Sequence, residues 1–184
     1  MRNLKAWALA PVMVLSLAAC GGDDERGEGG EGATPTPSSK TLAAAIGDEG
    51  DLDTLEGVIK NAGLSEVLEG KGPYTVFAPA NAALGAAGTA LADEAMKAQS
   101  AALLRAHIVP GALTRADILA AIARGGGGDV QMRTMADGLL TFSKDGNAVV
   151  VRAADGATAR LAGEETVASN GVVQPVDGVL VKAS

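Results

Sequence analysis

The chain has 184 residues, 47% of them hydrophobic but only 2% aromatic, and a formal net charge of −7. A balance this acidic makes nucleic acid and anionic membrane surfaces poor partners. One histidine and one cysteine leave too few nitrogen and sulfur ligands for a zinc site or an iron–sulfur cluster.

Arg2 and Lys5 flank the start of an apolar run, Ala6 to Leu17, of 12 residues. A span of the bilayer core needs about 20, so the run is too short to cross it and has the shape of a secretory signal. It ends in Leu17-Ala18-Ala19-Cys20, which resembles the lipobox of bacterial lipoproteins. The resemblance implies a signal over residues 1–19 and a lipidated Cys20. The mature chain would then be secreted across the inner membrane and held by its lipid anchor at the periplasmic face or the cell surface. With Cys20 acylated, no thiol remains for catalysis or a disulfide. Trp7 leaves with the signal, and Tyr74, Phe77 and Phe142 are too few for a platform that stacks bases or sugars. Removing Arg2 and Lys5 from the 15 basic residues leaves 13 against 22 acidic ones, a net charge of −9.

Residues 20–40 read as a flexible acidic linker. GGDDERGEGGEGATPTPSSK is Gly, Pro, Ser and acid with nothing to bury. As a coil of about 20 residues it spans roughly 25 Å. Residues 41–184 make one domain, large enough to bury about two-thirds of its unfolded surface without a staple.

The domain opens helical. In LDTLEGVIKNAGL, Leu52, Leu55, Val58 and Ile59 share one face, and Asp53 with Glu56 predicts a capping box. Gly63 ends this helix, and SEVLEG is a further short turn closed by Gly70. YTVFAPANAAL, Tyr74 to Leu84, then changes character midway. Thr75, Val76 and Phe77 read as a buried strand. Pro79 has no N–H to continue a ladder. Asn81 suits an N-cap, with Ala82, Ala83 and Leu84 as a first helical turn.

DEAMKAQSAALLRAHIVPG carries Met96, Leu103 and Leu104 at helical spacing, then passes into His107-Ile108-Val109 and turns at Pro110-Gly111. TRADILAAIARGGGG predicts a second strong helix, capped by Thr114 with Asp117 and stopped by Gly125 to Gly128. The last third reads as β. Leu140 and Phe142 alternate with Thr141 and Ser143, and Asp145-Gly146 and Asp155-Gly156 are turn signals joining a three-strand meander. GVVQPV and GVLVKA, from Gly171 to Ala183, supply the last strand material.

Little here carries chemistry. His107 lies between Ala106 and Ile108, and the chain has no Gly-x-Ser-x-Gly elbow. A lone histidine in an apolar stretch reads as a hydrogen-bonded structural residue. The acidic run GDEGDLD, Gly47 to Asp53, fails as a calcium loop begun at Asp51, since Leu55, Glu56 and Ala62 stand where an oxygen ligand, Gly and Glu are needed. Its carboxylates suit a helix start instead. The glycines of Gly125–Gly128 follow a helix and lead to no Gly-Lys-Ser/Thr, so they are no phosphate loop. Glu164-Glu165 reads as a surface charge pair. No catalytic residue, cofactor or metal is expected.

Three stretches in order resemble the fasciclin (FAS1) domain. YTVFAPANAAL looks like its first signature block, LLRAHIVPG (Leu103 to Gly111) its central block and SNGVVQPVDGVLV (Ser169 to Val181) its second signature block. The likeness covers about Thr41 to Lys182. It implies an α+β fold, a wedge-shaped β-sandwich with several packed helices. Thr75, Val76, Phe77, Ala78, Pro79, Asn81 and His107 then become core and turn positions. Asn170-Gly171 becomes the turn before the last strands, and Asp177-Gly178 a bend between them.

The chain departs from the family pattern in several places. Ala80 and Ala82 replace the usual Thr and acidic residue around Asn81. Ala106 replaces the Tyr of the central block. Gln174, followed by Pro175, replaces the His of the second, and Glu165-Thr166 replaces an Asp-Ile pair. The Tyr-His and Asp-Ile elements are those linked to integrin binding in animal relatives, so integrin binding is not carried over. The resemblance implies a non-catalytic role in adhesion or protein–protein interaction with an unidentified protein partner. The alternative is small-ligand binding, because an alanine-rich, aromatic-poor core can leave an apolar pocket.

Overall fold

Helices come first and strands last in the computed structural model, which describes residues 37–182. The signal, Cys20 and most of the linker lie outside the described residues. The helices are α1 (Leu42–Gly47), α2 (Asp53–Ala62), α3 (Ser65–Glu69), α4 (Asn81–Leu91), α5 (Lys97–His107) and α6 (Arg115–Arg124). The first two strands, β1 (Tyr74–Pro79) and β2 (Ile108–Pro110), lie among them. Then follow β3 (Val130–Arg133), β4 (Leu139–Asp145), β5 (Ala148–Ala153), β6 (Thr158–Arg160), β7 (Thr166–Ala168) and β8 (Gly171–Val176).

Two four-stranded sheets result, ordered β2-β1-β8-β7 and β3-β4-β5-β6. Only β1 and β8 run parallel. They pair from Tyr74↔Gly171 to Pro79↔Val176, so the strand portions of the first and second signature blocks lie side by side. Alternation divides β1 between two cores. Val76 and Ala78, with Val173, bury against the helices, among Leu42, Ile46, Leu55, Val58, Ile59, Leu68 and Leu104. Phe77 and Val176 face the second sheet, among Ile118, Phe142 and Val151. The Phe77 and Phe142 rings meet at 5.3 Å, tilted by 44°. The order is thus helices, mixed sheet, antiparallel sheet, which is an α+β sandwich.

The sheets also join at both margins. Met135 N–H donates to Ile108 O at 2.8 Å, and Leu161 bridges Val176. Pro175 is tolerated in an inner strand because its carbonyl, and so its nitrogen, points away from β1. That carbonyl accepts from Ala162 N–H at 2.8 Å, and β7 pairs with β8 only as far as Val173, so no ladder bond is lost there.

Four expectations are corrected. The meander has a fourth strand, β3, and β7 adds to the mixed sheet. Both are very short, and the four alternating residues of β3 are too few to stand out beside the preceding glycines. Residues 178–182 of GVLVKA form no strand, because the bend at Asp177-Gly178 turns the chain off the sheet. Asp53 and Glu56 make no capping box, since Leu52 is the N-cap and carries no capping side chain. Asn81 does not cap its own helix, for Ala80 occupies that place. Its side chain reaches across to α2, accepting from Thr54 N–H at 2.9 Å and donating to Gly50 O at 2.8 Å. One asparagine thus caps α2 from a distant part of the chain.

Asn81→Ala removes this remote cap, and the loss of such a cap costs about 1–2 kcal/mol. A urea titration is expected to show a lower midpoint at unchanged slope. A midpoint equal to wild type would show that α2 does not depend on the cap.

Candidate functional site

The signature residues are placed along the mixed sheet and do not converge on one site. Thr75 is buried, and its Oγ1 donates to Gly111 O at 2.7 Å and accepts from Leu113 N–H at 2.8 Å. Asn170 is the most connected. Its Oδ1 accepts from Leu42 N–H at 2.8 Å, while Nδ2 donates to Leu68 O at 2.8 Å and Gly70 O at 2.6 Å. One amide therefore ties α1 and the end of α3 to the start of β8. Gly171 follows with φ 156°, and a Cβ there would stand 1.9 Å from Tyr74 O, so only glycine lets β8 begin against β1. Asp177 Oδ1 accepts from Arg160 N–H at 2.6 Å, fastening the bend at Gly178 to β6.

Glu165 is more than a surface charge. Its Oε2 accepts from Arg115 N–H at 2.6 Å, at the start of α6, and from Gln174 Nε2. It lies outside any strand, in the segment leading into β7. Gln174 Nε2 also donates to Leu113 O at 3.2 Å. Gln174 thus lends its amide hydrogens to two acceptors where the family pattern has a histidine.

His107 closes α5 and is fully buried. Its ring bonds Leu103 O through Nδ1 at 2.8 Å and receives Leu180 N–H on Nε2 at 2.9 Å. These partners fix the neutral tautomer with the proton on Nδ1. Burial, which disfavours the cation, lowers its pKa from 6.5 to about 4.

Above this histidine lies an apolar recess of about 750 Å³. Its walls are α4 and α5, the turn around Ala136, the end of β5 and the segment Val179–Lys182. Ala83, Ala87 and Ala90 line it from α4, and Ala102 and Ala106 from α5. Ala87 with Ala90 on α4, and Ala102 with Ala106 on α5, stand at three- and four-residue spacing and form one stripe per helix. Ala83 joins them from before the break at Gly85, and the small size of these methyl groups leaves the space open. Gly85 breaks α4 beside the recess at φ 50°, ψ −142°, a conformation only glycine adopts readily. The polar groups of the lining are few. Asp155 accepts from Ala157 N–H at 2.8 Å and Lys182 N–H at 2.7 Å. These bonds hold its carboxyl below the usual carboxylate range. Leu180 N–H, held by His107, fixes the segment that forms one wall.

The sequence shows this recess only as an excess of alanine. The signal that locates it is the spacing of Ala83, Ala87 and Ala90, which reads first as high helix propensity.

The buried histidine sets a pH dependence. The unfolded chain takes up a proton below pH 6.5, whereas folded His107 resists it down to about 4. The stability from keeping His107 neutral is complete above pH 6.5 and is lost as pH falls toward 4. At about 1.4 kcal/mol per unit this amounts to about 3 kcal/mol. His107 is the one histidine, so its ring proton resonance is expected to titrate near pH 4. The extra loss of stability between pH 6.5 and 4.5, relative to His107→Ala, is the second readout. A ring titrating near 6.5 would contradict the burial.

Residues 50–182 match the Fasciclin domain family. The chain is 32% identical over 151 residues to protein sll1483 of Synechocystis sp., an alignment covering 79% of this chain and 76% of that protein. It is 28% identical over 156 residues to human Stabilin-1, covering 80% of this chain but only 6% of Stabilin-1. Its fold resembles that of a FAS1 domain pair from the insect cell adhesion molecule Fasciclin I, with TM-score 0.66 at 15% identity over 78% of this chain and 51% of that one. The mixed sheet, its paired signature blocks and the match across residues 50–182 lead to one conclusion: this chain belongs to the Fasciclin domain family.

Proposed function

We propose that the chain is a lipid-anchored envelope protein that works by binding, mediating adhesion or protein–protein contact without catalysis. The recess between α4 and α5 carries this reading. It is a large apolar concavity among the described residues, open to solvent and walled by aliphatic side chains, and such surfaces receive partners. The adhesion role named for Fasciclin I supports the same class of function. Cys20 and the acidic linker would hold this face roughly 25 Å off a membrane, at the periplasmic face or the cell surface. A second reading has its own support. The volume of about 750 Å³ falls in the range of small-molecule sites, about 300–1,000 Å³.

A photo-crosslinking residue at Ala87 of the full chain, in intact cells, tests the binding face. An adduct of protein mass at Ala87, absent at the exposed Lys144, is expected for the first reading and a bound small molecule for the second. Adducts at neither would remove the recess from the function. Cys20→Ser is expected to shift the protein out of the membrane fraction. Wild-type partitioning by that variant would overturn the lipid anchor.

A further inference from the structure

We propose that the recess binds a single-chain anionic amphiphile of the fatty-acid class, its aliphatic tail along the alanine stripes and its head group at Lys182. This rests on the small-molecule reading of the recess. Three features of the lining select the class.

The first is shape. The alanines of α4 and α5 leave a trough between two helices where larger side chains would close it. A flexible, narrow chain follows such a trough and buries apolar surface along its whole length.

The second is chemistry. Leu84, Leu91, Met96, Leu103, Leu139 and Leu180 line the recess with the alanines, and no aromatic ring does. A planar, aromatic ligand has no face to stack on there. An aliphatic tail needs none. Leu139 is the one large hydrophobic side chain among the described residues that remains well exposed, at 39%. It lines the recess from the start of β4, where a tail would cover it.

The third is charge. Lys182 is the one cation of the lining, and it has no ion pair among the described residues. Asp155, the one anion there, turns its two oxygens to the N–H groups of Ala157 and Lys182. The Asp155 and Lys182 charges attract one another without an ion-pair contact, so the ammonium keeps its donor positions for an ionised head. A carboxylate at Lys182 and a tail against the alanines fit the charged and the apolar parts of the lining.

The test uses the full chain and a dansylated undecanoic acid below its micelle concentration, displaced by palmitate or by hexadecanol. Palmitate is expected to displace the probe more strongly than hexadecanol. Ala87→Trp and Ala136→Trp fill the trough from opposite walls, and both alanines are exposed, so the thermal melt should not move. Each is expected to weaken palmitate binding at least about tenfold. Lys182→Gln is expected to weaken palmitate toward the affinity of hexadecanol. Binding untouched by both tryptophan variants overturns the site. Equal displacement by palmitate and hexadecanol from wild type overturns the role of Lys182. If no probe binds while the crosslinker at Ala87 still captures a partner, the fatty-acid class falls and the recess stands. If neither occurs, both fall.

Discussion

The parallel pairing of β1 with β8 is the contact on which the rest of the domain depends. It joins Tyr74 to Gly171 and runs six residues without a break. Both cores are built on its two faces, so neither can form unless the pairing is in register. A slip of one residue would turn Val76 and Phe77 to the wrong faces. Two local devices prevent it. Gly171 allows only close approach to Tyr74 O. The Asn170 amide binds α1 and the end of α3 at the first rung. The partners are almost a hundred residues apart, and such pairing is slow to form because a long loop must close first.

Local elements with a chemical signature were legible in the sequence. The α6 capping box of Thr114 and Asp117 is formed in both directions, and Gly63 ends α2. The face of Leu52, Leu55, Val58 and Ile59 is buried as its spacing indicates. The strand-to-helix change within YTVFAPANAAL is in place. What escaped was supplied by distant residues. Asp53 and Glu56 match a capping pattern, yet Asn81 provides the cap, and no window along α2 contains that information. GVLVKA has the composition of a strand, but its backbone finds the ring of His107 and the carboxylate of Asp155 in place of a neighbouring strand. Composition sets what a segment can do, and the nearest unpaired acceptor decides what it does.

The recess was legible in kind but not in place. Alanine excess is ambiguous, because alanine favours a helix on any face. Only the packing of α4 and α5 against α2 turns two alanine faces toward one opening. His107 links this opening to the core. It anchors Leu180, whose side chain lines the recess and whose N–H it accepts. Leu103 and Ala106 of the family's central block line the recess directly, while His107 acts at one remove by fixing the Leu180 wall.

The closed margins of the two sheets bear on life at a crowded surface. Ser38 N–H takes the carbonyl of Val167 on β7, Met135 links to β2, and Leu161 with Asp177 joins β6 to β8. The outward residues of β3 are Gln131 and Arg133. Open strand edges are templates on which a second copy can add itself, and covered or charged edges are not. Under the proposed anchor, copies on one membrane would meet often and at high local concentration. Paired or charged edges would offer those encounters few backbone groups, leaving the side chains of the exposed faces as what one neighbour presents to another.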